Sequence, residues 1–283
     1  MHEIGLIDDS FERIFSSRYH LSIQLGLDGF SFSILDPDQN KFLYLRHIPF
    51  VLQREHLLAC YVEKIFQEEE ILSDKYAKVT VLYKTSRCTF VPTTFYKNNE
   101  RDRLFSFNHQ LNECEQVFVC PLPKVGANVL FPIPREVCVK IRERHPEVEF
   151  FHIAFPLIEQ ALRSGNSANG KHVVTLFCSK SFFDLVVCHN NNLIFFNQFT
   201  FRNETDFVFF LLNVFEQLNL DPTRTPVLVS GMLPRNSEHY VLMRKYIQNI
   251  QVEQPGKTIQ YSIRFRQIPL HFFTPLFNLY TCV

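Results

Sequence analysis

Lys180 stands between Ser179 and Ser181, so one short turn carries a cation and two hydroxyl donors, a set able to neutralise and hold a phosphate without a metal. A second turn, Asp28-Gly29, sets a carboxylate beside a residue that takes positive φ freely; between alternating apolar runs it is first of all a hairpin signal. Other chemistry lacks its residues. The chain contains neither a Gly-x-Ser-x-Gly elbow nor a His-Glu-x-x-His pair. It has no Gly-Lys-Ser/Thr phosphate loop, and only 8 glycines from which to build one. Cys188 and His189 are adjacent in a strand and point to opposite sheet faces, which prevents joint action. His145, His152, His239 and His271 are isolated from other ligand types. Asn203-Glu204-Thr205 reads as a helix start rather than a glycosylation site.

The elements that must position these turns recur. Leu21 to His47 and Val173 to Phe199 each read as strand, turn, strand, Asn-bearing turn, strand, and an offset of 152 lays one on the other without a gap. An even offset preserves which side chains share a sheet face, and the pattern reads as an internal duplication. Apolar residues from Leu57 to Phe66 recur at helical spacing, and Lys78 to Tyr83 is the strand that returns. The second copy repeats this order: a helix capped at Asn203–Asp206 and running through Leu218, with Phe207, Phe210, Leu211, Val214 and Phe215 on its inner face, a strand over Pro226 to Ser230, then a helix from Ser237 to Ile250 with Tyr240, Val241, Met243 and Tyr246 inward. Residues 1 to 18 read as a polar lead-in with one short helix, and Pro92 as the start of another. Ser164 to Lys171 has linker composition and marks the boundary between domains 1–164, with an inserted segment at 115–163, and 165–283.

Bulk composition narrows the function classes. At 283 residues the chain is long enough for two cores. Its 29 basic and 29 acidic residues balance, so it carries no electrostatic footprint for nucleic acid. No apolar run approaches the about 18 residues of a membrane span. Most of the 8 cysteines lie among apolar residues and none has metal or redox spacing, the N-terminus is acidic rather than signal-like, and together these predict a reducing, cytoplasmic setting. Pro269 to Val283 is apolar and lacks a basic face, so it is expected to close a core.

The repeated order of meander, helix, strand and helix resembles the duplicated ribonuclease-H-like architecture of the actin, Hsp70 and sugar-kinase superfamily. Residues 127 to 165 are similar to the segment joining the halves of the bacterial cell-division and pilus-assembly actin homologues. DGFSFSILD (28–36), TVLYKTSRCTFVP (80–92) and VSGMLPRNS (229–237) resemble a bacterial family of unknown function with this fold. The resemblance implies an α/β, actin-like ATPase fold of two lobes, each a mixed sheet flanked by helices. It also implies where ATP and magnesium would sit: Asp28 and Gly29 in the first turn, Ser179, Lys180 and Ser181 in the second, Gly231 beside the adenosine.

Against the superfamily's Asp-x-Gly-Ser/Thr turns, this chain departs twice. Phe30 replaces a small hydroxyl residue and is expected to crowd the phosphate cradle, and the turn after Cys178 has neither acid nor glycine. Asp184 reads as a strand-face residue rather than a magnesium partner. Gly231 is followed by Met232 where a second glycine is usual. The expectation is a pseudo-ATPase, a non-catalytic scaffold for a protein partner without cofactor; the alternative is a divergent ATPase or small-molecule kinase using Asp28 and Lys180.

Overall fold

The computed structural model describes residues 2–166, 172–255 and 259–282. The chain divides into two compact units, Met1–Phe155 with Lys257–Ile268 and Pro156–Gly256 with Pro269–Val283. The expected linker partly falls outside the described residues, at 167–171; Ser164 to Asn166 are the last residues of a helix.

The first unit opens with β1 (Ile4–Ile7), not a polar lead-in: its 4 residues pair antiparallel with a later strand, Ile4 opposite His47, and a 3-10 turn at Arg13–Arg18 follows. Next come β2 (His20–Gly26), β3 (Gly29–Asp36) and β4 (Lys41–Ile48), helix α1 (Leu58–Glu68) and β5 (Lys78–Lys84). Pro92 ends the edge strand β6 (Thr89–Pro92), where its missing N–H costs no ladder bond, and it is also the N-cap of a short 3-10 helix at Thr93–Phe95, as expected of this stretch. Helix α2 (Arg101–Ser106), strands β7 (Glu115–Leu122) and β8 (Ala127–Pro134), helix α3 (Arg135–Arg142) and β9 (Glu149–His152) complete it. The main sheet runs β1-β4-β3-β2-β5-β9, and β6-β8-β7 form a separate antiparallel sheet.

Helix α4 (Ala154–Asn166) carries the division at Phe155/Pro156. The second unit contains β10 (His172–Cys178), β11 (Phe182–His189), β12 (Asn192–Thr200), α5 (Glu204–Gln217), β13 (Val227–Gly231), α6 (Glu238–Tyr246) and β14 (Ile250–Val252). A two-residue strand, β15 (Gln260–Tyr261), lies along β4 of the first unit, and α7 (Thr274–Leu279) belongs to the second, with all 6 of its residues buried. The apolar end is therefore core, as its lack of a basic face predicts.

Both units share one order. β4-β3-β2-β5-β9 and β12-β11-β10-β13-β14 each run third, second, first, fourth, fifth strand, with two antiparallel pairings followed by two parallel ones. The face that each helix covers fixes the correspondence between them. In the first unit Phe30 reaches Phe66 of α1, ring centroids 6.4 Å apart, so Leu21, Ile23 and Leu25 share the helix face with it. In the second, Val174, Leu176 and Cys178 join Phe183, Phe207 and Leu211 in the core under α5 and α6.

That geometry corrects the offset. The first hairpin closes on the pair Gly26 and Gly29; the second closes on Ser179, whose N–H donates to the Phe182 carbonyl at 2.9 Å. Gly26 thus corresponds to Ser179, Asp28 to Ser181, Gly29 to Phe182 and Phe30 to Phe183, an offset of 153 rather than 152. In the third strand it falls to 151, since Ile48 faces Phe30 and Phe199 faces Phe183; the intervening turn is shorter by two residues. A residue of slip reverses every side chain, and burial under the helices selects the odd offset.

The helical stripes are narrower than the periodicity predicts. In α6, Tyr240 and Met243 are buried but Val241 and Tyr246 are half exposed; in α1, Tyr61 is exposed while Leu58, Val62, Ile65 and Phe66 are buried. Among the described residues no helix is long and apolar enough to cross a membrane.

Candidate phosphate turns at the strand ends

In open α/β sheets, ligands gather at the carboxyl ends of parallel strands, where backbone N–H groups and loop side chains converge. In the first unit those ends are Gly26 of β2, Lys84 of β5 and His152 of β9. In the second they are Cys178 of β10, Gly231 of β13 and Val252 of β14.

The first turn holds an ion pair. Lys84 Nζ lies 2.5 Å from the Asp28 carboxylate, and only 5% and 13% of the two side chains is exposed. Register brings them together, because Gly26 is the β2 partner of Lys84. Gly26 also leaves the room: a Cβ there would stand 2.9 Å from Lys84 Cε and 3.2 Å from Asp28 Oδ1. Gly29 has φ +153, and a Cβ would meet His47 Cε1 at 3.1 Å. Phe30 does not crowd this turn. Its ring is fully buried on the opposite side of the strand, against Phe32 and Phe66, because successive strand residues alternate faces. The face shared with Lys84 carries Ser22, Gln24, Ser31 and Thr80, all buried; Ser22 and Thr80 hydroxyls are 3.0 Å apart, and Ser31 Oγ is 2.8 Å from His47 Nδ1.

The loop beyond Lys84 is pinned. Arg87 forks onto the buried Glu115, Nη1 to Oε1 at 2.5 Å and Nη2 to Oε2 at 3.0 Å. Burial pushes the Glu115 carboxyl up, but Arg87 and the Asn112 N–H more than reverse this, leaving it below the usual range; burial and Glu115 raise nearby Glu55. His152 is held neutral. Its Nε2 is 3.0 Å from the Thr85 carbonyl, its Nδ1 accepts from the Ala154 N–H at 3.1 Å, and burial lowers its pKa to about 4.

In the second unit Lys180 and Ser181 are exposed at the turn, whereas Ser179 is buried and its Oγ has no hydrogen-bond partner among the described residues. Gly231, at φ +79, packs onto the backbone of β10: a Cβ would lie 2.2 Å from the Cys178 carbonyl oxygen. The Met232 N–H donates to that same oxygen at 2.6 Å. Asp184 accepts from Gln198 Nε2 across the strand pair at 2.5 Å, as a strand-face residue would. Cys188 is buried, and the His189 ring faces His172 with centroids 4.3 Å apart.

Magnesium chemistry of the superfamily type needs a carboxylate free to orient hydrated metal and a glycine that admits phosphate. The residues present do not fit it. Asp28 is engaged by Lys84, and the corresponding positions in the second turn are Ser181 and Phe182. Lys84, Arg87 and a buried glutamate described below were absent from the sequence candidates. The signal for Lys84 is an ionisable residue ending the apolar run KVTVLY, which makes burial with a partner the alternative to exposure.

A model of the family described as "Protein of unknown function (DUF3822)" matches residues 8–250. A protein of actin-like ATPase fold and unknown function from Bacteroides thetaiotaomicron VPI-5482 is similar at 25% identity and TM-score 0.78, over 86% of this chain and 93% of that one. The PilM-PilN type IV pilus biogenesis complex gives a match of 11% identity and TM-score 0.58, over 93% and 98%. The ethanolamine utilization protein EutJ from Carboxydothermus hydrogenoformans gives 10% identity and TM-score 0.50, over 97% and 92%. No curated protein matches significantly. The fold is that of the actin-like ATPases.

Proposed function

We propose that this chain, which belongs to the DUF3822 family, is a non-catalytic, actin-like pseudo-ATPase that serves as a binding platform for a protein partner in the cytoplasm. The carrying observation is the Lys84–Asp28 pair: a buried ammonium sits where a metal's charge would otherwise balance that carboxylate. The second turn supports the same reading, since Ser181 and Phe182 replace the acid and glycine of its counterpart. Gly231 is accounted for by backbone packing on Cys178 and needs no adenosine to explain it. The common strand order of the two units supports descent from an internal duplication whose nucleotide turns have since diverged. All 8 cysteines are free thiols, which suits a reducing compartment.

The test is a thermal melt of the full chain with and without Mg-ATP. No shift is expected, whereas a ligand at 100 times its dissociation constant would add about 2.7 kcal/mol. A shift that disappears in Asp28→Asn would overturn the reading. The exposed Lys180 supports the second one, a divergent ATP-binding protein; it requires phosphate release that falls in Lys180→Ala.

A further inference from the structure

Glu253 follows β14 and adds one more hydrogen bond to its ladder, donating its N–H to the Val229 carbonyl at 2.8 Å. That register sets its side chain beside Ser230 on the sheet face opposite the α5 and α6 core. Glu253 is 4% exposed and Ser230 fully buried; neither carboxylate oxygen nor the Ser230 hydroxyl has a hydrogen-bond partner among the described residues. Such groups are rare in folded proteins, and each calls for an explanation. A carboxylate in this position would lose its hydration with no formed bond in return, at a cost that neutralisation avoids.

The surroundings are asymmetric. Ser230 of β13 and Gln160 of α4 are near enough to favour the charged form, but neither completes a hydrogen bond of normal geometry with it. Arg163 of α4 is the charged group that faces it, and its Nη2 is already directed at Cys282 Sγ, 3.6 Å away. Glu159, buried one turn earlier on α4, acts against Arg163 at the Cys282 thiol. Burial outweighs these contributions and raises the Glu253 carboxyl to about 7.

We propose that Glu253 is a proton-binding site built into the second unit, held as the neutral acid when the unit is closed and ionised when the packing around β13 and β14 loosens. The device links the carboxyl-end region of the second sheet to pH near neutrality, independently of any nucleotide. Its sign follows from linkage. A carboxyl whose folded pKa is raised costs nothing while both states are protonated; its penalty grows from the unfolded value, 4.5, to the folded one, about 7, then levels off.

The experiment compares denaturant unfolding of the full chain and of Glu253→Gln across pH 4 to 9. The ratio of the two unfolding constants, wild type over variant, should rise up to about tenfold per pH unit between those values and be flat above them. Parallel pH profiles would overturn the proposal. Infrared difference spectra of the unsubstituted chain give a reading that does not depend on the variant folding. A protonated glutamate carbonyl band at pH 6 that is lost at pH 8 and persists in Glu55→Gln, which removes the other carboxyl raised by burial, supports the site; a fully ionised set of glutamates at pH 6, or a band lost in Glu55→Gln, rejects it.

Discussion

A methyl group at Gly231 would bring its carbon 2.2 Å from the Cys178 carbonyl oxygen and 2.8 Å from the Cys178 nitrogen, both backbone atoms that cannot rotate away. Gly231→Ala is therefore expected to destabilise the chain by more than about 3 kcal/mol, with strain at φ +79 added to the clash. Gly126 is the control: its φ is +68 but nothing lies within 4 Å, so Gly126→Ala should cost only about 1 kcal/mol in the same denaturant melts. The comparison separates backbone conformation from close approach. Lys84 and Asp28 illustrate a different residue-scale rule. Any neutral residue at 28 leaves the buried Lys84 charge uncompensated, but Asp28→Asn keeps the shape and an acceptor oxygen for the ammonium, which makes it a milder variant than Asp28→Ala for the nucleotide test. The Asp28-Gly29 turn was legible from residue types alone because the turn's needs are local. The partner of Asp28 was not, because Lys84, 56 positions away, is brought to it by the pairing of β2 with β5.

At the scale of elements, α5 shows local sequence and structure in agreement. Asn203, in extended conformation, accepts the Asp206 N–H at 2.8 Å, and Glu204 and Asp206 place negative charge in the first turn. Asn203→Ala should cost about 1 kcal/mol, read from the melt, with Asn203→Ser close to neutral. The capping signal was legible because it acts over three residues. Helix α2 and strand β1 were not predicted, and both are short elements whose apolar surface is too small to set a period. Strand β1 gains its place from pairing with β4, and α2 from packing Phe105 beside Val91, Val117 and Leu130. The one-residue error in offset belongs to this scale too. Both 152 and 153 place apolar residues on apolar residues in strands buried on both faces, so only the covering helices distinguish them.

For the whole molecule, two buried titrating groups oppose one another. His152 has its pKa lowered by burial to about 4 from 6.5, so the stability it contributes is complete above 6.5 and is lost as pH falls toward 4. Its full span is on the order of 3 kcal/mol. Glu253 acts in the other sense across a similar window, with its penalty relieved as pH falls. His20, His145, His172 and His271 are lowered by burial too, so the effect is read as a difference between chains: His152→Gln should lose less stability than the unsubstituted chain as pH drops from 6.5 toward 4. The check is a pH series of denaturant midpoints for the two chains. What the sequence alone determined was the repeated strand and helix order, the hairpin turns, the capping of α5 and the poor match of the second turn to a magnesium site. These depend on residues within a few positions of each other and on alternation along a strand. Tertiary structure decided which sheet face lies under the helices, that Phe30 belongs to the core, that Lys84 occupies Asp28 and that Glu253 is buried without a formed bond. Each of these is set by register between distant strands and by the loss of water around a charge, neither of which is written in any single stretch of chain.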